Sequence, residues 1–216
     1  MLTFAEEIYL LALDDVSGKI MVSSKNIVLD PALVGAILAE LSFMGRIDSD
    51  AENIYVEDSA LTGNLLLDLV LNKFSLAKTD SFTIEHVLRV LMQDAVKFEE
   101  LVLQELLDKG ILKKVEEKIC WFFSSRRYPV VDNKEIVDVE TRLRNILTTG
   151  EIPDPRDVVL ISLVDACDLF HEILSPREYK RCEKRIAELA KMDMVASKIK
   201  GMIYQIQEIA NLTPYI

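Results

Sequence analysis

Apolar positions recur along this chain at helical spacing far more often than they alternate. Phe4 to Leu13 is apolar at 4, 8, 10, 11 and 13, dense enough for a buried helix, and Asp14-Asp15-Val16-Ser17-Gly18-Lys19 follows as a turn. Lys19 to Val22 has the composition of a short strand. Asp30-Pro31 reads as cap and first residue of the next helix, which carries Ala32, Leu33, Ile37, Leu38, Leu41 and Phe43 and closes at Gly45-Arg46-Ile47. Gly35 inside it costs about 1 kcal/mol against Ala, a penalty usually offset by close approach of another backbone.

Asn53 to Asp58 alternates like a strand, and Gly63 to Phe74 and 83 to 93 are further helices, the second opened by a Thr83 cap. Gln93 to Lys109 places Ala95, Phe98, Leu101, Val102, Leu106 and Leu107 on helical spacing, with Gly110 at the C-cap. Two β-prone arms, Ile111 to Val115 and Lys118 to Phe123, flank a polar Glu116-Glu117 tip and predict a hairpin at about 111–124. The passages Leu33–Glu57 and Leu101–Phe123 share one plan: a helix ending at Gly, then aliphatics, a polar stretch and a β arm. Beyond Asp132 the pattern returns to helices, at 134–147, 157–174, 176–190 and 194–210. The loop at 148–156 is an internal joint too short to separate domains. Helix therefore dominates, with one main hairpin around Trp121.

Composition narrows the class further. The 216 residues are half hydrophobic and 28% charged, a balance that closes around one core, so a single domain over 1–216 is expected. The net charge of −11 repels nucleic acid and anionic lipid on average, and any polyanion site must be local. Cys120, Cys167 and Cys182 form no C-x-x-C pair and read as reduced thiols of a cytosolic core. The N-terminus lacks a basic leader, and no uncharged apolar run approaches the ~18–20 residues that span a bilayer. A cytoplasmic protein without a transmembrane segment is expected.

Little in the sequence is arranged for catalysis. His86 and His171 belong to no H-E-x-x-H pattern, and no G-x-x-x-x-G-K-[ST], G-x-G-x-x-G or G-x-S-x-G occurs. Asp165, Asp168 and Glu172 fall near one helical face beside His171, where a metal or acid–base site is conceivable. Acidic residues on the polar face of an amphipathic helix are commonplace, so a solvated face is the default. No enzyme, metal or cofactor is expected. Trp121-Phe122-Phe123 with Arg126-Arg127 suits insertion into a partner or membrane, and equally the packing of alternate aromatics on the core. Residues 93–131 also have the helix, Gly turn and wing of a winged-helix unit, the mark of a cytosolic regulatory or interaction module. Nucleic acid is disfavoured, because Lys97 and Lys109 on that helix stand against Glu99, Glu100, Glu105 and Asp108.

Over nearly its whole length the chain resembles the Golgi phosphoprotein 3 family. The carrying residues are Glu7-Ile8-Tyr9-Leu10-Leu11-Ala12-Leu13 with Gly18, and Leu33-Val34-Gly35-Ala36-Ile37-Leu38-Ala39-Glu40-Leu41 closing in Gly45-Arg46-Ile47. Thr62-Gly63 ahead of Leu65-Leu66-Leu67-Asp68, and Leu106-Leu107-Asp108-Lys109-Gly110-Ile111-Leu112, continue it. Tyr128-Pro129-Val130, Arg142-Leu143-Arg144, and Pro155-Arg156 before Leu160 to Leu169 complete it. The resemblance implies a mostly α fold, a helical bundle core with surrounding helices and short β-hairpins. It implies a non-enzymatic peripheral membrane adaptor that binds the headgroup of phosphatidylinositol 4-phosphate and self-associates as an oligomer through its central hairpin, here Trp121, Phe122 and Phe123.

The family's headgroup positions fall at about Lys25, Val34, Val96 and Glu99. Three positions that hold Arg in lipid-binding members are thus Val, Val and Glu, which cannot donate charge-assisted hydrogen bonds to a phosphate. Lys97, Arg126 and Arg127 are the basic residues that could substitute. The basic arm preceding this domain in eukaryotic members has no counterpart in the sequence, the pattern expected of a bacterial or archaeal member.

Overall fold

The computed structural model describes residues 1–14, 17–20, 25–77, 81–120, 123–193 and 201. The first helix, α1 (Phe4–Leu11), is buried on every side, as its dense apolar run predicts. Its entry is fixed by a capping box: Glu6 N–H donates to Thr3 Oγ1, and Glu6 Oε2 accepts from Thr3 N–H at 2.8 Å. α2 (Lys25–Phe43), α5 (Ala95–Asp108), α6 (Lys134–Thr149) and α7 (Pro155–Ala166) all pack against α1, which is thereby the central element. The core around it is one contiguous apolar cluster reaching from Phe4 to Leu189. A helix in that position exposes no face, so its residues can be polar only if they are paired.

α2 begins earlier than Asp30-Pro31 suggests. It starts at Lys25, so Pro31 lies inside it and Asp30 is buried in the helix rather than capping it. An interior Pro costs about 3 kcal/mol. The added turn buries Val28 and Leu29 among the core residues, worth roughly 1.5–3 kcal/mol each, which offsets the lost hydrogen bond. Gly35 is buried in the same helix.

The shared plan of the two helix–hairpin passages is visible in the backbone. α2 ends with Gly45 at φ +64°, its N–H bonded to Ser42 O and Arg46 N–H to Leu41 O, both 2.9 Å. α5 ends in the same way at Gly110 (φ +71°), with Gly110 N–H to Leu107 O and Ile111 N–H to Leu106 O, both 3.0 Å. This double closure satisfies the last carbonyls and needs a left-handed residue, which glycine supplies. After the first end, β1 (Ile47–Ser49) and β2 (Asn53–Val56) form an antiparallel pair, joined by β3 (Ser81–Thr83) in the order β1-β2-β3. Between β2 and β3 lies α3 (Leu65–Leu76), capped by Asn64. Thr83 caps α4 (Ile84–Leu91) as its sequence suggests, and a single 3-10 turn, Met92–Asp94, leads into α5.

After α5 the main hairpin forms with a different register from the predicted one. β4 (Val115–Cys120) pairs with β5 (Phe123–Arg127), Glu116 opposite Arg126 and Cys120 opposite Phe123. Glu116-Glu117 is therefore strand, and Ile111 and Leu112, ahead of β4, are buried, with Leu112 bridging Val130. Trp121 and Phe122, between the strands, lie outside the described residues, as do the side chains of Phe123, Arg126 and Arg127. A close approach anchors the base of the hairpin: Tyr128 N–H donates to Gly18 O, and a Cβ on Gly18 would come 2.3 Å from Pro129 N. Of the predicted Lys19 to Val22 strand, Ile20 forms an antiparallel bridge with Leu13, and residues 21–24 lie outside the described part.

The expected 157–174 helix is broken. α7 ends at Ala166, Asp168 takes φ +57°, and a four-residue α8 (Phe170–Ile173) follows. Leu169 N–H bonds Val164 O across that bend at 3.0 Å, so the chain turns to bury Leu169 and Phe170 rather than continuing straight. α9 (Pro176–Ala190) opens on a second capping box, Ser175 with Glu178, and packs its apolar face on α7 and α6. The predicted 194–210 helix lies outside the described residues, apart from Gly201.

Candidate functional site

Two adjacent carboxylates in an otherwise apolar, fully buried helix are the strongest polar feature of the described residues. Glu6 is 0% exposed and Glu7 3%. An isolated buried carboxylate is prohibitively costly, so each must find a cation or donor. Glu6 is ion-paired by Lys109 from the end of α5. Glu105, one turn back on α5, accepts from Asn64 Nδ2 at 2.8 Å, and its carboxyl is pushed up by burial and by the negative Glu6 beside it.

Glu7 faces the other way. Arg142 of α6 donates to Glu7 Oε1 at 2.8 Å and sets its Nε 2.8 Å from Asp157 Oδ1 of α7. Arg156 reaches Glu7 Oε2 at 3.5 Å and Glu40 Oε1 of α2 at 3.3 Å, and donates to Leu2 O at 2.7 Å. Its guanidinium also lies 4.0 Å over the Phe4 ring, and Glu40 Oε2 accepts Phe4 N–H at 2.8 Å. Burial raises the Glu7 and Asp157 carboxyls, and Arg142 opposes the rise at both. Burial would lower Arg142, but Glu7 and Asp157 together hold it above its ordinary value. Alternating acids and guanidinium groups thus tie α1 to α2, α6 and α7, while Lys109 ties it to α5. Glu7 and Arg142 line one wall of an open cleft of about 780 Å³, together with Leu2, Lys109, Glu135 and Asp138.

The chemistry of this arrangement is ion pairing. Among the described residues no group of three or more His, Cys, Asp and Glu is placed to hold a metal. The bend at Asp168 takes Asp165, Asp168 and Glu172 off a common helical face, and leaves His171 Nε2 3.3 Å from Asp168 Oδ1 with both side chains exposed. Cys167 and Cys182 are buried thiols in no disulfide, and burial pushes the Cys182 thiol up, away from the reactive thiolate.

The headgroup positions are spread over α2 and α5. Val34 is fully buried, so its side chain reaches no ligand at the surface. Val96 is 66% exposed and lies one turn before Glu99 on α5. Glu99 is engaged with the buried Tyr9 hydroxyl, which burial and then Glu99 push above the ordinary phenol value. Lys97 is exposed, and the same outer face of α5 carries Glu100, Gln104 and Asp108. Lys25 opens α2 in the backbone, its side chain being outside the described part. Glu7, Glu40, Arg142 and Arg156 stand far apart in the sequence, with no spacing that connects them. The signal available was the Glu6-Glu7 pair at positions whose neighbours are all apolar.

The helical fold and its charged framework define a helix-centred scaffold, and residues 4–206 match the family described as Golgi phosphoprotein 3 (GPP34): the chain belongs to this family. It is also similar to a VPS74-like protein of Dictyostelium discoideum, 26% identical over 178 residues, covering 76% of this chain and 66% of that relative. The chain thus spans slightly less than two thirds of that relative's length. No helix among the described residues is long and apolar enough to cross a membrane.

Proposed function

We propose that this chain is a one-domain, non-enzymatic adaptor of the Golgi phosphoprotein 3 family that acts on the cytoplasmic face of a membrane through peripheral contact with anionic lipid. The family match over residues 4–206 carries the reading. Two observations support it. The buried carboxylates of α1 are matched to Lys109, Arg142 and Arg156 as structural ties, leaving no spare acid–base pair there. Bilayer contact, where it occurs, is peripheral for the described part of the chain, which has no spanning helix. The family's headgroup positions hold Val34, Val96 and Glu99, so the contact is general anionic attraction and not recognition of an inositol phosphate through those positions.

Flotation of the full chain with vesicles of phosphatidylcholine alone, or with added phosphatidylglycerol, tests the reading. Association with the anionic vesicles only is expected, and equal absence from both sinks it. The β4–β5 hairpin is proposed as the self-association element, with Trp121, Phe122 and Phe123 as its apolar contacts. Trp121→Ala with Phe123→Ala should lower the mass in light scattering without unfolding, and a wild-type monomer at high concentration ends that idea.

A further inference from the structure

α9 carries a concentration of positive charge that nothing in the family's headgroup pattern assigns. Cys182, Ile186 and Leu189 face the core, so the opposite face of this helix is fixed toward solvent. At 100° per residue, Arg177, Lys180, Arg181 and Lys184 fall on that outer face at i, i+3, i+4 and i+7, and Lys191 follows two turns later; all five are exposed. Within that arc the one acid is Glu188, 3.8 Å from Lys184. Five cations to one acid is the reverse of a chain carrying −11 overall. Arg177, Lys180 and Arg181 form no ion pair among the described residues, whereas Arg144 is paired with Glu178 and Arg185 donates to Glu151 O.

The geometry points to this face of α9 as the surface that docks on an anionic phospholipid bilayer, an inference that rests on the peripheral membrane reading above. From residue 177 to the C-cap at residue 191 the stripe is about 21 Å long at 1.5 Å per residue and keeps to one face, so its cations can meet one plane together. A plane touches only that face, and acids more than the ~8 Å screening length away contribute little repulsion. A nucleic acid wrapping the helix would instead bring phosphates onto the flanking Glu178 and Glu183. Because the apolar face of α9 is used in the core, the helix cannot sink into the acyl region, and the contact is electrostatic and reversed by salt.

Each cation near an anionic surface is worth about fivefold in partition, so Arg177→Gln, Lys180→Gln, Arg181→Gln and Lys184→Gln together should lower partition at least about a hundredfold. The experiment is co-sedimentation of the full chain with phosphatidylcholine vesicles with and without phosphatidylglycerol, at low and high salt, with thermal melts to confirm folding. An equal-charge control, Arg89→Gln, Lys113→Gln, Lys114→Gln and Lys134→Gln, should keep most of the binding. If wild type and the α9 variant partition alike, the stripe is not the docking face although the membrane reading stands. Failure of wild type to bind anionic vesicles overturns both, and tighter, stripe-dependent binding to duplex DNA than to vesicles overturns the choice of partner.

Discussion

Arg142→Met tests the charged framework around α1 most sharply. Arg142 is the partner of both Glu7 and Asp157, which are 3% and 7% exposed. Its removal leaves Glu7 with Arg156 at 3.5 Å and strips Asp157 of the partner 2.8 Å away. Breaking a buried pair by deleting one member costs about 3–5 kcal/mol. The Arg142 side chain is 35% exposed, so water softens the loss, and about 3 kcal/mol is expected at neutral pH. In a domain of this size that lowers Tm by about 6–12 °C. The triple variant Glu7→Gln, Arg142→Met, Asp157→Asn should lose less than half as much, since it removes the charges together with their partner. The sign of the pH effect follows. Without Arg142 only the more distant Arg156 opposes the rise that burial imposes on Glu7 and Asp157, so the folded variant binds protons that the unfolded chain does not. Its stability therefore climbs as pH falls from 7 toward the unfolded carboxylate range near ~4–4.5, and the gap to wild type narrows. Urea unfolding followed by circular dichroism at several pH values measures this. A loss below about 1 kcal/mol, or a gap unchanged with pH, refutes the reasoning.

Three further outcomes are expected. Gly18→Ala forces a Cβ to 2.3 Å from Pro129 N at φ +64° and should cost at least about 2 kcal/mol in chemical unfolding. Tyr9→Phe removes the hydroxyl bonded to Glu99 and should cost about 1 kcal/mol in the same assay, with the melt still cooperative. Glu105, raised by burial and by Glu6, gives stability that is complete below its unfolded value and lost as pH rises through its folded value. Glu105→Gln should flatten the decline of stability with rising pH in that window, read from melts in a buffer series.

Local signals were legible wherever a single residue type decided the backbone. Gly45 and Gly110 close their helices and Thr83 opens α4 where the sequence places them, because left-handed closure and side-chain capping depend on that residue alone. Where tertiary burial competes with propensity, the sequence misleads. Pro31 lies inside α2 because Val28 and Leu29 reward another turn, and the chain bends at Asp168 because Leu169 and Phe170 are buried by it. Glu116 and Glu117 looked like a turn, since register depends on a partner strand that one segment cannot reveal. The α1 network was invisible for a related reason: its members are up to 150 residues apart, from Glu7 to Asp157, and only the fold brings them together. The α9 stripe was legible in principle, but its spacing matters only once Cys182, Ile186 and Leu189 fix which face is inward.

The proposed function has this chain meet membranes through charge and not through a phosphoinositide pocket. Partition of the full chain between vesicles of matched surface charge, one set made anionic by phosphatidylinositol 4-phosphate and the other by phosphatidylglycerol, tests it directly. Equal binding to the two, lost from both at high salt, is the predicted result. Salt-resistant binding selective for phosphatidylinositol 4-phosphate would contradict it.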